Sequence, residues 1–360
     1  MKLLRLEAMR GLAAFSVLLA HAQSVTATDP AIHFGRWYSV ELEPTLGVQF
    51  FFVLSGFVMA LTCPNGIGRT PNIGPFLWRR ACRIYPLYWI VAAYAVWRFR
   101  PDATWFDIPT WASLLPLGND LALDVAWTLR HEVVFYLLFA ICLLPRIGKP
   151  ALALWVAGTF FLWNSAYPLI VQVPSATLAV YFHTPLTLLF FAGLLAGTLL
   201  PHLPAQRLTS WTLCGLGAAI VACRLPFDQW GAEYGPPQAT VLYGIGYASL
   251  ILGLALSDRL PRHALQGRRR AVAATAGTVS YPLYLCHVMA IYALLPWMSR
   301  SGVAAGLGPF GCFATFVVGS VIVASVLAFG IDRPLQRILR RWPAAPPPRS
   351  LAITQPTLSG

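Results

Sequence analysis

Charged residues are scarce in this chain, and acidic ones are the scarcest. Only 11% of the 360 residues are charged, with 26 Lys and Arg but just 13 Asp and Glu, whereas 57% are hydrophobic. Soluble domains carry about 25% charged residues. Apolar runs long enough to cross a bilayer recur along the sequence, and an ordinary soluble core does not contain such runs. The composition therefore excludes a soluble domain and predicts an all-α polytopic membrane protein.

Paired cysteines and alternating strand patterns are also missing. The seven cysteines lie within or beside apolar runs and form no CxxC pair, so neither a disulfide framework nor a metal site is expected. Solid apolar runs replace the alternation that is typical of an outer-membrane barrel. The net charge of +13 does not indicate nucleic acid as a partner, because the basic residues lie in short loops, where they orient a membrane protein.

Ten apolar segments are predicted to span the membrane. Most of the Lys and Arg residues lie on one side of this series, which places both termini in the cytoplasm. We therefore expect a multi-pass protein of the inner or plasma membrane with about ten transmembrane helices, N-in and C-in. Residues 1–341 would form one transmembrane domain, and the Pro-rich residues 342–360 a disordered cytoplasmic tail. The segments lie near residues 6–22, 46–62, 82–99, 125–144, 150–164, 184–200, 208–223, 238–256, 277–297 and 309–330.

The first segment has a second interpretation. A basic start, an apolar run and Ala20-His21-Ala22 also match a signal peptide with an A-x-A cleavage site. Cleavage there would leave nine segments with the same orientation, so the charge bias does not decide between the two. Glu7 and Arg10 place charge close to the apolar run, which favours a retained helix.

Arg10 and His21 lie on one stripe of this predicted helix. They are eleven residues apart, about three helical turns, so their side chains share a face and are separated by roughly 16 Å along the axis. Ionisable groups inside a membrane helix are costly and indicate function by default. The alternatives are that Arg10 is an anchor that reaches the lipid phosphates and that His21 is a satisfied interhelical hydrogen-bonding group.

Glu132 is a further ionisable group at membrane depth, in the outer half of the fourth segment. An uncompensated charge there costs about 2.5–3.5 kcal/mol, so Glu132 needs a partner, and His21, Arg130 and His131 are the candidates. A carboxylate beside an imidazole raises its basicity and fixes its tautomer, as a general base requires. This predicts a catalytic pair of His21 and Glu132. The alternative is a buried Glu–Arg pair that joins two helices.

Two more clusters carry polar groups into predicted helices. Arg80 and Arg83 share a face at the start of the third segment, where the helix dipole favours anions, and guanidinium groups suit phosphates. They would bind a phosphorylated cytoplasmic ligand or, alternatively, anionic lipid head groups. Ser280, Tyr281 and His287 lie where an internal proline would kink the ninth segment. This suggests a polar pocket, with a packing role as the alternative.

The order of these motifs resembles the acyltransferase 3 family of integral-membrane acyltransferases. Six motifs carry the resemblance over about residues 5–335, each weak alone but specific together. Thr128 and Asp332 stand where that family commonly has Ser and Glu. The motifs are RGLAAFSVLLAH with Arg10 and His21, GVQFFFVLSGF, RRACRIYPLYW with Arg80 and Arg83, WTLRHEVVFY with Glu132, SYPLYLCH, and Asp332-Arg333-Pro334.

The resemblance implies ten membrane helices and transfer of an acyl group, most often acetyl, from cytoplasmic acyl-CoA to an extracytoplasmic hydroxyl. Acceptors in the family are typically sugars of surface polysaccharides, lipopolysaccharide or glycosylated metabolites. Arg10 and His21 match the family's essential pair, and Arg80 and Arg83 match its cytoplasmic arginine motif. We therefore expect acyl-CoA, a saccharide or glycolipid acceptor and the lipid bilayer as partners, with no permanently bound cofactor and no nucleic acid.

In the expected mechanism, Arg10, Arg80 and Arg83 bind the phosphates of acyl-CoA. The acyl-bearing arm then extends from them to His21. There His21, oriented by Glu132, acts as general base or as transient acyl carrier. The alternative function is a transporter or flippase in which buried His and Glu form a proton relay, although the sequence lacks the paired interrupted segments of an inverted repeat. A non-catalytic scaffold would leave the buried ionisable groups unexplained.

Overall fold

All regular structure in the described part of the chain is helical. The structure is a computed structural model that describes residues 3–63, 66–70, 72–101, 103–116, 121–170, 184–223, 237–260 and 265–339. These residues contain helices and no β-strand, which confirms the all-α class. The predicted tail at 342–360 lies outside the described residues.

The described part of the chain contains twelve α-helices and two short turns of other helical type. A 3-10 turn at Leu200–His202 follows α7, and a π-helical turn at Leu327–Asp332 joins the last two helices. In chain order the helices are α1 (Leu4–Thr28), α2 (Pro44–Thr62), α3 (Gly74–Phe99), α4 (Ile108–Ser113), α5 (Ala126–Leu143), α6 (Gly148–Ile170), α7 (Leu186–Leu199), α8 (Arg207–Ala222), α9 (Pro237–Arg259), α10 (Gly267–Arg300), α11 (Val303–Val326) and α12 (Arg333–Leu339).

Each of the ten predicted segments overlaps one of these helices, and α4 and α12 are short additions. α7 and α8, with 14 and 16 residues, are shorter than a ~30 Å hydrocarbon core requires. The number of spans and the orientation of the termini therefore stay predictions. Within the described residues, five helical stretches are long and apolar enough to cross a membrane: Pro44–Thr62, Ala126–Leu143, Ala239–Arg259, Gly267–Arg300 and Val303–Leu339.

Helices α1 and α10 pack side by side and run parallel. A methyl group on Gly11 would lie 2.6 Å from the Cβ of Ala276, so the two backbones approach as closely as small residues allow. Further along α1, His21 meets His287 of α10. Residues later in α1 thus contact residues later in α10, as expected for two parallel helices. The ten predicted segments would cross the membrane in alternating directions, so the first and the ninth, which correspond to α1 and α10, are also expected to run parallel.

Two other helix pairs are also in close contact through glycines. Gly56 of α2 faces the backbone of Phe190 on α7, and Gly197 of α7 faces Ala60 on α2, so α2 and α7 also run parallel. In contrast, Gly217 of α8 faces Gly246 of α9 while Ser210 of α8 binds Gly253, so that pair is antiparallel. Segments that alternate in direction across the membrane are also expected to place α2 and α7 parallel and α8 and α9 antiparallel.

Gly193 on α7 provides a test of this packing. A Cβ at Gly193 would lie 1.8 Å from the carbonyl oxygen of Val53, whereas a Cβ at Gly215 on α8 meets nothing within 4 Å. We expect Gly193→Ala to lower the free energy of unfolding by about 1–3 kcal/mol or more, because the two backbones must move apart. Gly215→Ala, the matched control, should be neutral or stabilising by about 0.5–1 kcal/mol. Thermal unfolding of the detergent-purified variants measures both, and equal melting temperatures would contradict the packing.

An ion pair ties the start of α1 to the end of α9. The Arg5 guanidinium lies 2.6 Å from an Asp258 carboxylate oxygen, and the Arg5 backbone N–H donates to the second oxygen at 2.9 Å. The Asp258 side chain is almost fully buried. This contact fixes the end of α1 that precedes Arg10.

Candidate functional site

A cavity of about 360 Å³ lies between α1, α2, α3, α5 and α10. Most of its wall is apolar, but five charged side chains line it. Three of them are basic and two acidic, so the wall carries a net positive charge. These residues are Glu7, Arg10, Arg80, Arg83 and Glu132. The structure thus brings together the four charged residues predicted for the site other than His21 and His287, and it adds Glu7.

Arg10 meets the cavity as part of an ion pair. Its Nη1 lies 2.9 Å from Oε2 of Glu7, one turn earlier on α1. Glu7 in turn packs against Gly277 of α10. A Cβ on Gly277 would lie 2.0 Å from the Glu7 carboxylate. The close approach of α1 and α10 therefore makes room for the Arg10–Glu7 pair. Sequence reasoning missed this role of Glu7, although the i, i+3 spacing to Arg10 could have indicated it.

Arg80 is held by neutral groups. Its Nη2 donates to Thr62 Oγ1 at 2.8 Å, and its guanidinium lies over the rings of Phe76 and Tyr136, at 5.7 and 5.5 Å from their centroids. In the described part of the chain its Nε–H is buried and makes no hydrogen bond. The guanidinium is therefore positioned by its surroundings and keeps donor capacity for an anion in the cavity. Arg83, one turn further along α3, lines the same cavity.

Glu132 points into this cavity and not toward His21. It accepts hydrogen bonds from Ser55 Oγ at 2.9 Å and from the hydroxyl of Tyr136, and neither oxygen bonds to His21. The prediction that Glu132 orients His21 is therefore wrong. The rise per residue predicts how deep both side chains lie in the membrane. It does not predict which neighbouring helix the side chain of Glu132 faces. In the sequence, Ser55-Gly56 is a pair of small residues that indicates close helix packing, and the contact of Ser55 with Glu132 shows that Ser55 also has a polar role.

His21 instead meets His287 of α10. The Nε2 of His287 lies 3.4 Å from the Nδ1 of His21, and the ring centroids are 5.0 Å apart in an edge-on arrangement. His287 is fully buried, whereas His21 is partly exposed. Of the three residues predicted to form a pocket, Ser280 and Tyr281 line the cavity and His287 does not. The assignment of His287 to that pocket is corrected accordingly.

Tyr284 lies between the cavity and the histidine pair. It lines the cavity, and its ring centroid is 6.0 Å from that of His287. Its hydroxyl forms a hydrogen bond with Thr128 Oγ1 of 2.7 Å, which joins α10 to α5. Thr128 is one of the two positions that depart from the family pattern, and its hydroxyl supplies this contact. A ligand that reaches from the arginines to His21 would therefore pass Tyr284.

Among the described residues there is no group of three His, Cys, Asp or Glu side chains that could hold a metal ion. The arrangement consists of an arginine-rich cavity with two carboxylates and, along α1, a pair of imidazoles. Its chemistry is suited to anion binding at one end and to proton transfer or nucleophilic attack at the other.

Comparison with known proteins gives a consistent result. A family described as an acyltransferase domain matches residues 3–329. The chain is also similar to the exopolysaccharide production protein ExoZ of Rhizobium meliloti (strain 1021), with 30% identity over 319 residues that cover 81% of this chain and 89% of the relative. No solved structure matches the chain.

Proposed function

Because the chain belongs to the acyltransferase 3 family and is an acyltransferase, we propose that it acetylates a saccharide across the membrane. The proposed donor is cytoplasmic acetyl-CoA, and the proposed acceptor is a hydroxyl of an extracytoplasmic or membrane-linked saccharide. The similarity to a protein named for exopolysaccharide production supports a saccharide as the acceptor.

The observation that carries the proposal is the cavity lined by Arg10, Arg80 and Arg83. Coenzyme A carries phosphates that guanidinium groups bind through paired, charge-assisted hydrogen bonds. Arg80 supports this role because its buried Nε–H makes no hydrogen bond in the described part of the chain. The aromatic rings beneath Arg80 hold it in place, so little conformational entropy is lost when an anion binds.

The two ends of α1 define the proposed path of the acyl group. With the N-terminus in the cytoplasm, Arg10 lies toward the inner face and His21 lies roughly 16 Å further out along the helix. The phosphates of the donor would remain on the arginines while the acyl-bearing arm extends past Tyr284. The acyl thioester then meets the acceptor hydroxyl beside His21, in the outer half of the membrane.

In this proposal His21 acts either as a general base or as a transient acyl carrier. As a general base it takes the proton of the acceptor hydroxyl while the hydroxyl oxygen attacks the thioester carbonyl, and it then returns the proton to the departing sulfur. As an acyl carrier it attacks the carbonyl itself, releases CoA and passes the acyl group to the hydroxyl. Both routes form one ester bond, break one thioester bond and release CoA as the thiol.

The mass of the acceptor tests the proposal. Membrane vesicles that contain the protein and the host's own surface glycans are incubated with acetyl-CoA labelled with ¹³C in the acetyl group. We expect the saccharide to gain labelled acetyl only when the protein is present. Movement of saccharide across the membrane with no change in its mass would contradict the proposal and favour the transporter. Incorporation from succinyl-CoA, but not from acetyl-CoA, would change the proposed acyl group.

A further inference from the structure

The histidine pair assigns a function to His287. We propose that His287 is a positioning residue that fixes the tautomer of His21 and leaves Nε2 of His21 as the reacting nitrogen. This inference rests on the proposed function, because it presupposes that His21 takes part in acyl transfer. It goes further by naming the atom that reacts and the residue that selects it.

The surroundings of His287 determine where its proton lies. Its Nδ1 is 2.8 Å from the carbonyl oxygen of Tyr284 and 3.1 Å from that of Leu283. Carbonyl oxygens only accept hydrogen bonds, so Nδ1 must carry the proton. In a neutral imidazole the other nitrogen is then an acceptor, and complete burial favours the neutral ring. The Nε2 of His287 therefore presents a lone pair to His21.

The surroundings of His21 lead to the same arrangement. Its Nδ1 lies 2.9 Å from the carbonyl oxygen of Val17 and 3.4 Å from Nε2 of His287. Both neighbours accept hydrogen bonds, so Nδ1 of His21 carries the proton and shares it between them. The remaining nitrogen, Nε2, makes no hydrogen bond in the described part of the chain. It holds the lone pair that a base or a nucleophile needs.

The packing of α1 against α10 holds the two rings in this register. The contact of Gly11 with Ala276 keeps the helix backbones close, and Ser320 Oγ of α11 approaches the carbonyl oxygen of His287 at 3.5 Å. When Nε2 of His21 takes a proton or an acyl group, positive charge develops on the ring. The hydrogen bond from Nδ1–H to His287 then strengthens, and His287 itself exchanges no proton.

Three substitutions at position 287 separate positioning from packing. Gln can place its amide oxygen near the position of Nε2, whereas Asn places its amide near Nδ1 and satisfies only the backbone carbonyls. Phe keeps the ring but supplies neither group. We expect His287→Phe and His287→Asn to lower kcat about 10- to 100-fold, less than the roughly 10²–10⁴-fold that loss of the general base itself would cost, at unchanged KM for acetyl-CoA. His287→Gln should recover most of kcat. A purely structural role predicts instead that Asn is the better replacement.

His131→Asn is the matched control for loss of a buried imidazole. His131 is also buried in a helix and also bonds through Nδ1 to the carbonyl of the residue one turn earlier, Trp127, at 2.8 Å. It does not line the cavity. Its substitution should change the melting temperature by a similar amount but leave kcat unchanged.

Nitrogen NMR of ¹⁵N-histidine-labelled protein in lipid vesicles tests the tautomer directly. The His21 signals are assigned by their loss in His21→Gln, and we expect a protonated Nδ1 and an unprotonated Nε2. His287→Phe removes one of the two acceptors of the His21 Nδ1–H, so the Nε2-protonated form should appear beside the Nδ1-protonated form that the Val17 carbonyl still favours. A protonated Nε2 in the wild-type protein, or normal kcat in a folded His287→Phe protein, overturns the role of His287. If instead His21→Gln keeps full activity, the proposed role of His21 itself fails.

Discussion

Replacing His21 with alanine is expected to lower the rate of acyl transfer by about 10²–10⁴-fold, the usual contribution of a general base or nucleophile. The fold should survive, because His21 is partly exposed and its hydrogen bonds are to the Val17 carbonyl of its own helix and to His287. Binding should also survive, since His21 does not line the arginine cavity. The measurement is the initial rate against acetyl-CoA, and we expect the whole loss in kcat.

His33→Ala is the control for this experiment. His33 is exposed in the connection after α1, and its loss should leave both constants unchanged. The experiment also depends on α1 being part of the working protein, which an intact mass of the purified chain checks. A mature N-terminus at Gln23, or near-normal acylation by a folded His21→Ala protein, would rule out the proposed role of His21.

Glu132→Gln is expected to lower kcat by about 10²-fold while KM for acetyl-CoA stays the same or falls. Among the described residues, Glu132 bonds to the neutral hydroxyls of Ser55 and Tyr136 and forms no ion pair, so its negative charge is not neutralised there. Gln keeps the hydrogen-bond acceptor but removes the charge. Binding of an anion should not suffer, because a carboxylate beside the phosphates repels them. Catalysis should suffer because the charge of Glu132 acts on the neighbouring arginines, Arg10 and Arg80, that are proposed to hold the donor.

Two comparisons separate the charge of Glu132 from its hydrogen bonds. Tyr136→Phe removes one donor to Glu132 and keeps the ring beneath Arg80, so we expect at most about a tenfold effect, as for a single hydrogen bond. Glu132→Ala removes both charge and acceptor and should lower the melting temperature as well as kcat. A folded Glu132→Gln enzyme with normal kcat would leave Glu132 a purely structural role.

Much of the site was predictable because charge is so rare in this chain. A membrane sequence with few ionisable residues makes each one conspicuous, and the cost of placing it in hydrocarbon demands a reason. Arg10 and Glu132 stand out in this way, Arg80 and Arg83 stand out by their shared face at a helix start, and the structure gathers all four around one cavity. Tyr136 and Tyr284 gave no such signal, because tyrosines are common in membrane helices and only their positions in the bundle distinguish them.

The pairing of side chains was the part that sequence reasoning could not supply. Rise per residue places a side chain along the membrane normal, but its neighbours depend on which helices touch and on how each is rotated. The sequence places Glu132 and His21 at similar depths, yet α5 presents Glu132 to Ser55 on α2. His21 faces α10 because Gly11 and Gly277 allow that helix to approach α1 closely.

The sequence by itself thus determined the class of the protein, its helical segments, its family and the residues worth testing. Hydropathy, charge bias and motif order are properties of the amino-acid sequence, so they do not depend on which helices pack against each other. The tertiary structure alone decided that the imidazole of His21 has a second imidazole as its partner and that Glu132 belongs with the arginines. The physical reason is that these contacts join helices far apart in sequence, and close helix packing selects them.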